Sequence, residues 1–425
     1  MSRFRLTTWM LLLTASIVFN PSFASADVVL DWNVIALKTT ASAPFNPPLE
    51  ARNLAIVHAA VFDAVNAITA EAHPYRVRLR APGRASAEAA AIAAAYAVLA
   101  QLYPEQQSTL HAAYTASLNA IGDGPAKAGG VALGNAVSAQ MLATRMTDGA
   151  AEAVGATYIP GDRPGDWRPT PSLFAPALDP GWGRVRPFLL RHAAQFRPGP
   201  PPALSSRRYA RDFDEIKAIG SSASTERGQD RTDVAQLWVA TGAQNWNPVA
   251  RQVSIAQGLT VAQNARAFAL LNLAGADAFI AAWDAKFAYN QWRPVTAIRA
   301  AETDGNPATD TESDWTPLLP TPPFPDYIAG HTTYAGAAQA VLEYLFGKDP
   351  AVAIMLTSAT APGVVKTYTT FKDIADDVVE ARVWGGVHWR TSSVRGRVVG
   401  ERIGRFAVRR FNARTDDAQE RVLAH

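Results

Sequence analysis

The chain contains no cysteine among its 425 residues. Disulfide scaffolds, thiolate catalysis and thiolate metal sites are therefore excluded. It also lacks a surplus of charge of either sign, with 40 Lys and Arg against 37 Asp and Glu. No Lys/Arg-rich block interleaved with aromatics occurs, so nothing points to a nucleic-acid partner. Arg207 and Arg208, and the tail residues Arg405, Arg409 and Arg410, read as solvated helix faces. Beyond the amino terminus no stretch reads as the unbroken apolar run that a bilayer-spanning helix needs. Stable membrane insertion is therefore not expected. Strand-like alternation is scarce, and histidine is rare, with seven in all.

What is present begins with a targeting pattern. Arg3 and Arg5 precede an apolar run over 8–19, and Ala24-Ser25-Ala26 supplies small residues before Asp27. This reads as a signal peptide over residues 1–26, which places the mature protein in the periplasm or outside the cell. Apolar residues make up 48% of the chain, enough for a large core. Length suggests two or three domains or subdomains.

The periodicity predicts an all-α protein. Residues 52–69 carry Leu54, Ile56, Val57, Ala60, Val61, Ala64, Val65 and Ile68 at helical spacing. Further helices are predicted at 85–102, 104–121 and 126–147, giving an amino-terminal bundle over 27–155. Residues 156–205 are rich in Pro, Gly and Trp and show no period, which suits an irregular wrapping segment. A second bundle is expected over 206–425. Its helices are predicted at 209–220, 231–241, 249–293, 332–346, 351–358, 371–384 and 392–411, with a Pro-rich loop over 303–325. The expected architecture is thus two helical bundles joined by a long irregular segment.

Three short stretches of the second half carry the chemistry. The first runs from Lys286 to Arg293 and Pro294, in an apolar setting of Phe287, Ala288, Tyr289 and Trp292. Seven residues apart on a helix, the two cations would emerge on one face. The residue before a proline is disfavoured in helical conformation, so Arg293 marks a helix boundary. Buried cations need an anion. The second stretch is Phe324-Pro-Asp-Tyr-Ile-Ala-Gly330-His331. It reads as a loop entering a helix whose first N–H groups suit an anion, with a glycine allowing close approach and a histidine able to move protons. The third holds Arg382 and His388 around Gly385-Gly386. On an unbroken helix their heads would diverge by about 120°, so the glycines are expected to bend or end it. An arginine fork suits two oxyanion oxygens, and His388 suits a metal-ligand or nucleophile role.

In order and spacing these stretches resemble the vanadium-dependent haloperoxidases, the soluble branch of a superfamily shared with acid phosphatases and type-2 phosphatidic-acid phosphatases. The family pattern is Lys-x6-Arg-Pro, then Pro-Ser-Gly-His, then Ser-Arg-x5-His-x3-Asp. This chain offers Lys286-x6-Arg293-Pro294, then Ile328-Ala329-Gly330-His331, then Ala381-Arg382-x5-His388. The match spans about residues 230–410, and residues 52–68 resemble the family's amino-terminal bundle. Trp283 and Phe324 resemble the positions that shape the halide side of the pocket in the chloroperoxidases. The resemblance implies that Lys286, Arg293 and Arg382 neutralise vanadate oxygens and that Gly330 donates a backbone N–H. It further implies that His331 manages the proton of peroxide and that His388 binds vanadium. The substrates implied are hydrogen peroxide and a halide. In a phosphatase, phosphate would replace vanadate. His388 would then attack a phosphate ester to form a phosphohistidine, with His331 as acid.

Among the positions that depart from the pattern, Ala329 and Ala381 replace serines, and Ser392 replaces the aspartate behind the last histidine. A hydrogen bond to a charged group contributes roughly 1.5–3 kcal/mol, so the loss at Ala329 predicts weaker anion binding. Ser392 brings no charge, which disfavours the nucleophilic role of His388 in particular. Halide oxidation is the leading expectation. The same-site phosphatase and a non-catalytic oxyanion-binding protein are the alternatives. His58 and Asp63 read as a satisfied core polar pair or surface groups, not ligands, and the acidic run Asp304, Asp310, Glu312 and Asp314 as a solvated loop. Trp167, Trp182, Trp238 and Trp246 read as core or pocket-wall aromatics.

Overall fold

The computed structural model describes residues 27–81 and 83–422, with side chains to residue 413 in the last helix. The expected signal peptide lies outside the described residues. Among the described residues the fold is helical apart from one short hairpin.

Helix α1 (Val28–Ala41) begins at Asp27, whose carboxylate accepts from the N–H groups of Val29 and Leu30. It adds a helix before those expected from periodicity. Helices α2 (Pro47–Thr69), α3 (Ala87–Leu102), α4 (Gln107–Asn119) and α5 (Pro125–Arg145) follow, then the short α6 (Ala150–Val154). Gly130 and Gly134 of α5 meet the alanine face of α3 so closely that a Cβ at either would stand 2.4 Å from a backbone oxygen. The buried carboxylate of Asp148 ties Arg52 of α2 and Arg145 of α5 at 2.8 Å each.

From residue 157 to 206 the chain carries only short 3-10 turns. Buried Asp277 collects the N–H groups of Phe188, Leu189 and Leu190 at 2.7–2.8 Å and so straps this segment to the central helix. Buried Asp63 of α2 likewise collects the N–H groups of Arg76 and Val77 in the loop that follows that helix, at 2.9 and 2.7 Å. His58 contacts Asn33 at 3.0 Å within a buried amide network. Both residues are therefore structural, as read above.

The second half contains α7 (Arg207–Ile219), α8 (Gln229–Leu237), α9 (Gly242–Gln257) and α10 (Val261–Tyr289). The single helix expected over 249–293 is in fact broken. Gly258 ends α9 at φ 63°, and Thr260 with Gln263 forms a capping box that starts α10. Helix α10 is long and apolar enough to cross a bilayer, contrary to the reading from sequence, but 94% of its most apolar window is buried by protein. It packs on α2 and joins one apolar core that draws on both halves of the chain.

Helices α11 (Pro294–Arg299), α12 (Gly330–Phe346), α13 (Phe371–Trp384) and α14 (Arg390–Val422) complete the fold. The helix expected at 351–358 is an antiparallel hairpin instead, β1 (Ile354–Ser358) and β2 (Ala361–Tyr368), with Ile354 opposite Tyr368. The burial of Ile354 and Leu356 with exposure of Met355 shows the period-two pattern that favours a strand. The neighbouring Val364, Val365 and Thr367 are β-branched and reinforce it.

Helix α14 positions the start of α12. Gly396, Gly400 and Gly404 recur every four residues along its α12-facing side. A Cβ at Gly400 would stand 2.0 Å from the Thr333 carbonyl oxygen, and one at Gly404 would stand 2.5 Å from that of Ala337. Gly336 of α12 answers with 2.2 Å to the Arg397 oxygen. The two backbones are therefore in direct contact, and nothing flexible can yield. Gly400→Ala should destabilise the chain by about 1–3 kcal/mol, the usual effect of overpacking. A lowered urea unfolding midpoint is expected; an unchanged midpoint would show that the helices have room to spare.

Candidate oxyanion site

Lys286 lies in the last turn of α10, and Arg293 follows where the chain has already left the helix. Asn290 takes the left-handed conformation at φ 49°, and Arg293 is extended at φ −82°, ψ 155° immediately before Pro294. The two cations therefore meet through a reversal of the chain, not through helical phase as their spacing suggested. Both side chains are wholly buried. Lys286 Nζ donates to the carbonyls of Pro325 and Asp326 at 2.8 Å each. Arg293 donates to the carbonyls of Phe324 at 2.7 Å and Val387 at 2.6 Å.

The Phe324 ring contacts both cations, its centroid 4.8 Å from Lys286 Nζ and 4.8 Å from the Arg293 guanidinium carbon. Trp283 packs on Phe324 with ring centroids 4.7 Å apart and donates its indole N–H to the Leu178 carbonyl. Trp283 also touches the other side of the site. A Cβ at Gly330 would come within 3.3 Å of its ring and 3.2 Å of Phe279. Gly330 and His331 form the first turn of α12, whose N-cap, Ala329, provides no side-chain bond. The first N–H groups of a helix have no intrahelical acceptor and carry its positive dipole end.

His331 is half-buried, and its Nε2 lies 3.2 Å from the Ala240 carbonyl oxygen. A carbonyl can only accept, so Nε2 carries the proton and Nδ1 remains the basic ring atom. Burial, aided by the Arg382 charge, pushes His331 down to about 3. Arg382 lies in the last turn of α13 and donates to the Trp238 carbonyl at 2.7 Å. Helix α13 stops at Trp384, and Gly386 turns the chain at φ 73°. The His388 N–H thereby returns to the Arg382 carbonyl at 3.3 Å. The two glycines thus end the helix and bring His388 back toward Arg382.

His388 is buried against Arg293, whose Nη1 lies 3.3 and 3.1 Å from its two ring nitrogens. Burial first, then the charges of Arg293, Lys286 and Arg382, hold its imidazole well below the ordinary histidine range. It is therefore neutral. Its Nδ1 stands 3.1 Å from Oδ2 of the fully buried Asp326. A carboxylate this close favours the proton on Nδ1, although its oxygens make no hydrogen bond among the described residues, and Nε2 then faces Arg293 Nη1 as the unprotonated ring atom. Asp326 thus takes the place behind the histidine that Ser392 leaves vacant. The Ser392 hydroxyl bonds instead to the Asp326 carbonyl at 3.1 Å.

Asp326 could not be found from motif spacing. It precedes His331 by five residues, whereas the family's aspartate follows the other histidine. The one signal was an acid directly after the Pro-rich loop, next to a site missing its carboxylate. Burial raises Asp326 to about 6, against the lowering effect of Arg293 and Lys286.

The charge inventory decides what the site can hold. Three buried cations face a single buried carboxylate. Burial pushes Lys286 well down, and Arg293 and Arg382 to about 10. Arg293 Nη2 and Arg382 Nε are buried donors without a partner among the described residues. Orphaned donors on uncompensated cations are what a tetrahedral oxyanion satisfies. The neutral His388 supplies a nitrogen ligand beside them, so the residues fit vanadate. Among the described residues no cluster of His, Asp and Glu suits an ordinary divalent metal.

A family model for the second helical-bundle domain of vanadium chloroperoxidases matches residues 266–417, the stretch that carries all three segments. The vanadium chloroperoxidase of Curvularia inaequalis is 24% identical, aligned over 89% of this chain and 81% of that protein. A solved bacterial vanadium-dependent iodoperoxidase is 25% identical with a TM-score of 0.79, covering 90% of this chain and 96% of the other. A holo bacterial vanadium-dependent chloroperoxidase shares the fold, with a TM-score of 0.71 at 22% identity over 89% and 96% of the two chains.

Sulfate keeps its charge across the neutral range and so reports the charge of the site. Asp326 is neutral below about 6 and ionised above it. Its ionisation lowers the local positive charge, so sulfate affinity should fall as pH rises through that value. Calorimetric titration across pH should show this step in the wild-type chain and none in Asp326→Asn. A step of equal size in both proteins would exclude Asp326 as its origin.

Proposed function

From a chain related to the vanadium-dependent haloperoxidases in sequence and fold, we propose an exported enzyme that uses vanadate to oxidise a halide with hydrogen peroxide. The carrying observation is the pair of orphaned guanidinium donors beside a neutral, carboxylate-backed histidine. Lys286, Arg293 and Arg382 would hold the oxyanion's oxygens, the Gly330 N–H would add a helix-start donor, and His388 Nε2 would be the metal ligand. Bound vanadate supplies Lewis-acid activation of peroxide. The net reaction joins peroxide, halide and one proton into hypohalous acid and water.

His331 is the group able to move that proton. It sits at the helix start with Nε2 held by Ala240, and its Nδ1 is unprotonated at neutral pH. Trp283 and Phe324 form an apolar wall against the cations and exclude water where a halide would approach. Export rests on the signal-like residues 1–26.

One observation favours the phosphatase as second reading. Asp326 restores the carboxylate that a nucleophilic His388 needs. A single assay set separates the two. Purified protein with orthovanadate, hydrogen peroxide and bromide should brominate monochlorodimedone, and His388→Ala should abolish this. Hydrolysis of p-nitrophenyl phosphate that vanadate inhibits, with no bromination, would establish the phosphatase instead. Neither activity, with sulfate still bound, would leave an oxyanion-binding protein.

A further inference from the structure

A cavity of about 510 Å³ lies between the turn joining α1 to α2 and the segment 239–241. Its size is within the range of small-molecule sites, roughly 300–1,000 Å³. One wall is apolar, formed by Pro44, Phe45, Leu49 and Val154. Phe45 is 59% exposed and Val154 46%, so two large apolar side chains at this cavity are left without cover. Glu50 supplies the one charged side chain of a lining that also carries the polar Thr40, Asn46, Tyr103, Thr241, Gln244 and Thr360. It is buried, and its Oε1 accepts from the Thr40 hydroxyl at 3.0 Å and from the Gln244 amide. A carboxyl group has acceptor positions beyond these two.

The opposite wall connects the cavity to the oxyanion site. Val239, Ala240 and Thr241 line it. The Ala240 carbonyl accepts from His331, and the carbonyl of the adjacent Trp238 accepts from Arg382. A single backbone strip therefore separates the cavity from the proton-moving histidine and from one of the three cations. None of the site residues named from the motifs lines the cavity, so it is a separate place.

We propose that this cavity binds the organic acceptor of the oxidised halogen, an uncharged electron-rich aromatic of the phenol class, with its hydroxyl directed to Glu50. The acceptor role rests on the halide-oxidation reading. The step is electrophilic substitution. Hypohalous acid and the aromatic C–H give the aromatic C–halogen bond and water. The O–halogen bond breaks, the ring supplies the electron pair of the new bond, and the proton lost from carbon leaves with the hydroxide. Carbon is oxidised by two electrons and the halogen is reduced by two. Only an electron-rich ring supplies that pair readily, and a phenol also carries the donor that Glu50 can accept.

The test uses 2-naphthol and the full chain without vanadate, titrated by calorimetry. Ala43 lines the cavity from the turn after α1, outside any helix and only partly buried at the edge of the core, so Ala43→Trp fills the space without breaking a helix. Saturable binding is expected in the wild type, weakened at least tenfold in Ala43→Trp and by a smaller factor in the rim variant Phe45→Ala. With vanadate, peroxide and iodide, triiodide formation should be equal in wild type and Ala43→Trp, while the KM for 2-naphthol halogenation rises in the variant. No saturable binding, or equal affinity in wild type and both variants, would overturn the cavity assignment. Retained binding with no triiodide from any protein would overturn the acceptor role through the reading on which it depends.

Discussion

Positive charge buried without an equal countercharge is the constraint around which this molecule is organised. Lys286, Arg293 and Arg382 are withdrawn from water, and Asp326 is the one acid among them. Backbone carbonyls of residues 238, 324, 325, 326 and 387 take part of the load. Carbonyl dipoles satisfy hydrogen atoms but do not neutralise charge, and two guanidinium nitrogens of the site have no partner among the described residues. A buried ion without its counterion is among the costliest arrangements a fold can contain. Its persistence here points to a guest anion as part of the functional state.

The rest of the fold serves that arrangement. The glycine stripe of α14 fixes the height at which α12 presents Gly330 and His331. Asp277 anchors the irregular segment to α10, and the same segment receives the Trp283 indole through Leu178. Gly386 converts the end of α13 into a turn, so Arg382 and His388 face one place. Burial, aided by the same cations that attract an anion, keeps both histidines neutral. A neutral His388 is a ligand or nucleophile, and a neutral His331 is a base. One charge distribution therefore sets both binding and proton chemistry.

The helical class and the three site segments were legible because helical periodicity and motif spacing are local. Leu54, Val57, Val61 and Val65 recur at the helical interval, and α2 covers all of them. What failed to show was set by conformation or by distance in sequence. Lys286 and Arg293 look like helix neighbours, and only the left-handed Asn290 reveals the reversal between them. The hairpin at 354–368 was hidden because apolar residues also occupy its exposed positions, Met355 and Val365, so the sequence itself shows no alternation. Asp326 was hidden because its partner lies 62 positions later in the chain. The Ala240 carbonyl that fixes His331 carries no side-chain signature at all.

The central claim is that the three cations await one oxyanion. The most direct measurement is the thermal unfolding midpoint of the vanadate-free chain with and without orthovanadate, for the wild type and for Arg382→Ala. Ligand at a hundredfold excess over its dissociation constant stabilises a protein by about 2.7 kcal/mol. The account predicts a midpoint that climbs with orthovanadate in the wild type and stays nearly flat in the variant. A wild-type midpoint indifferent to orthovanadate, or an equal rise in both proteins, would contradict it.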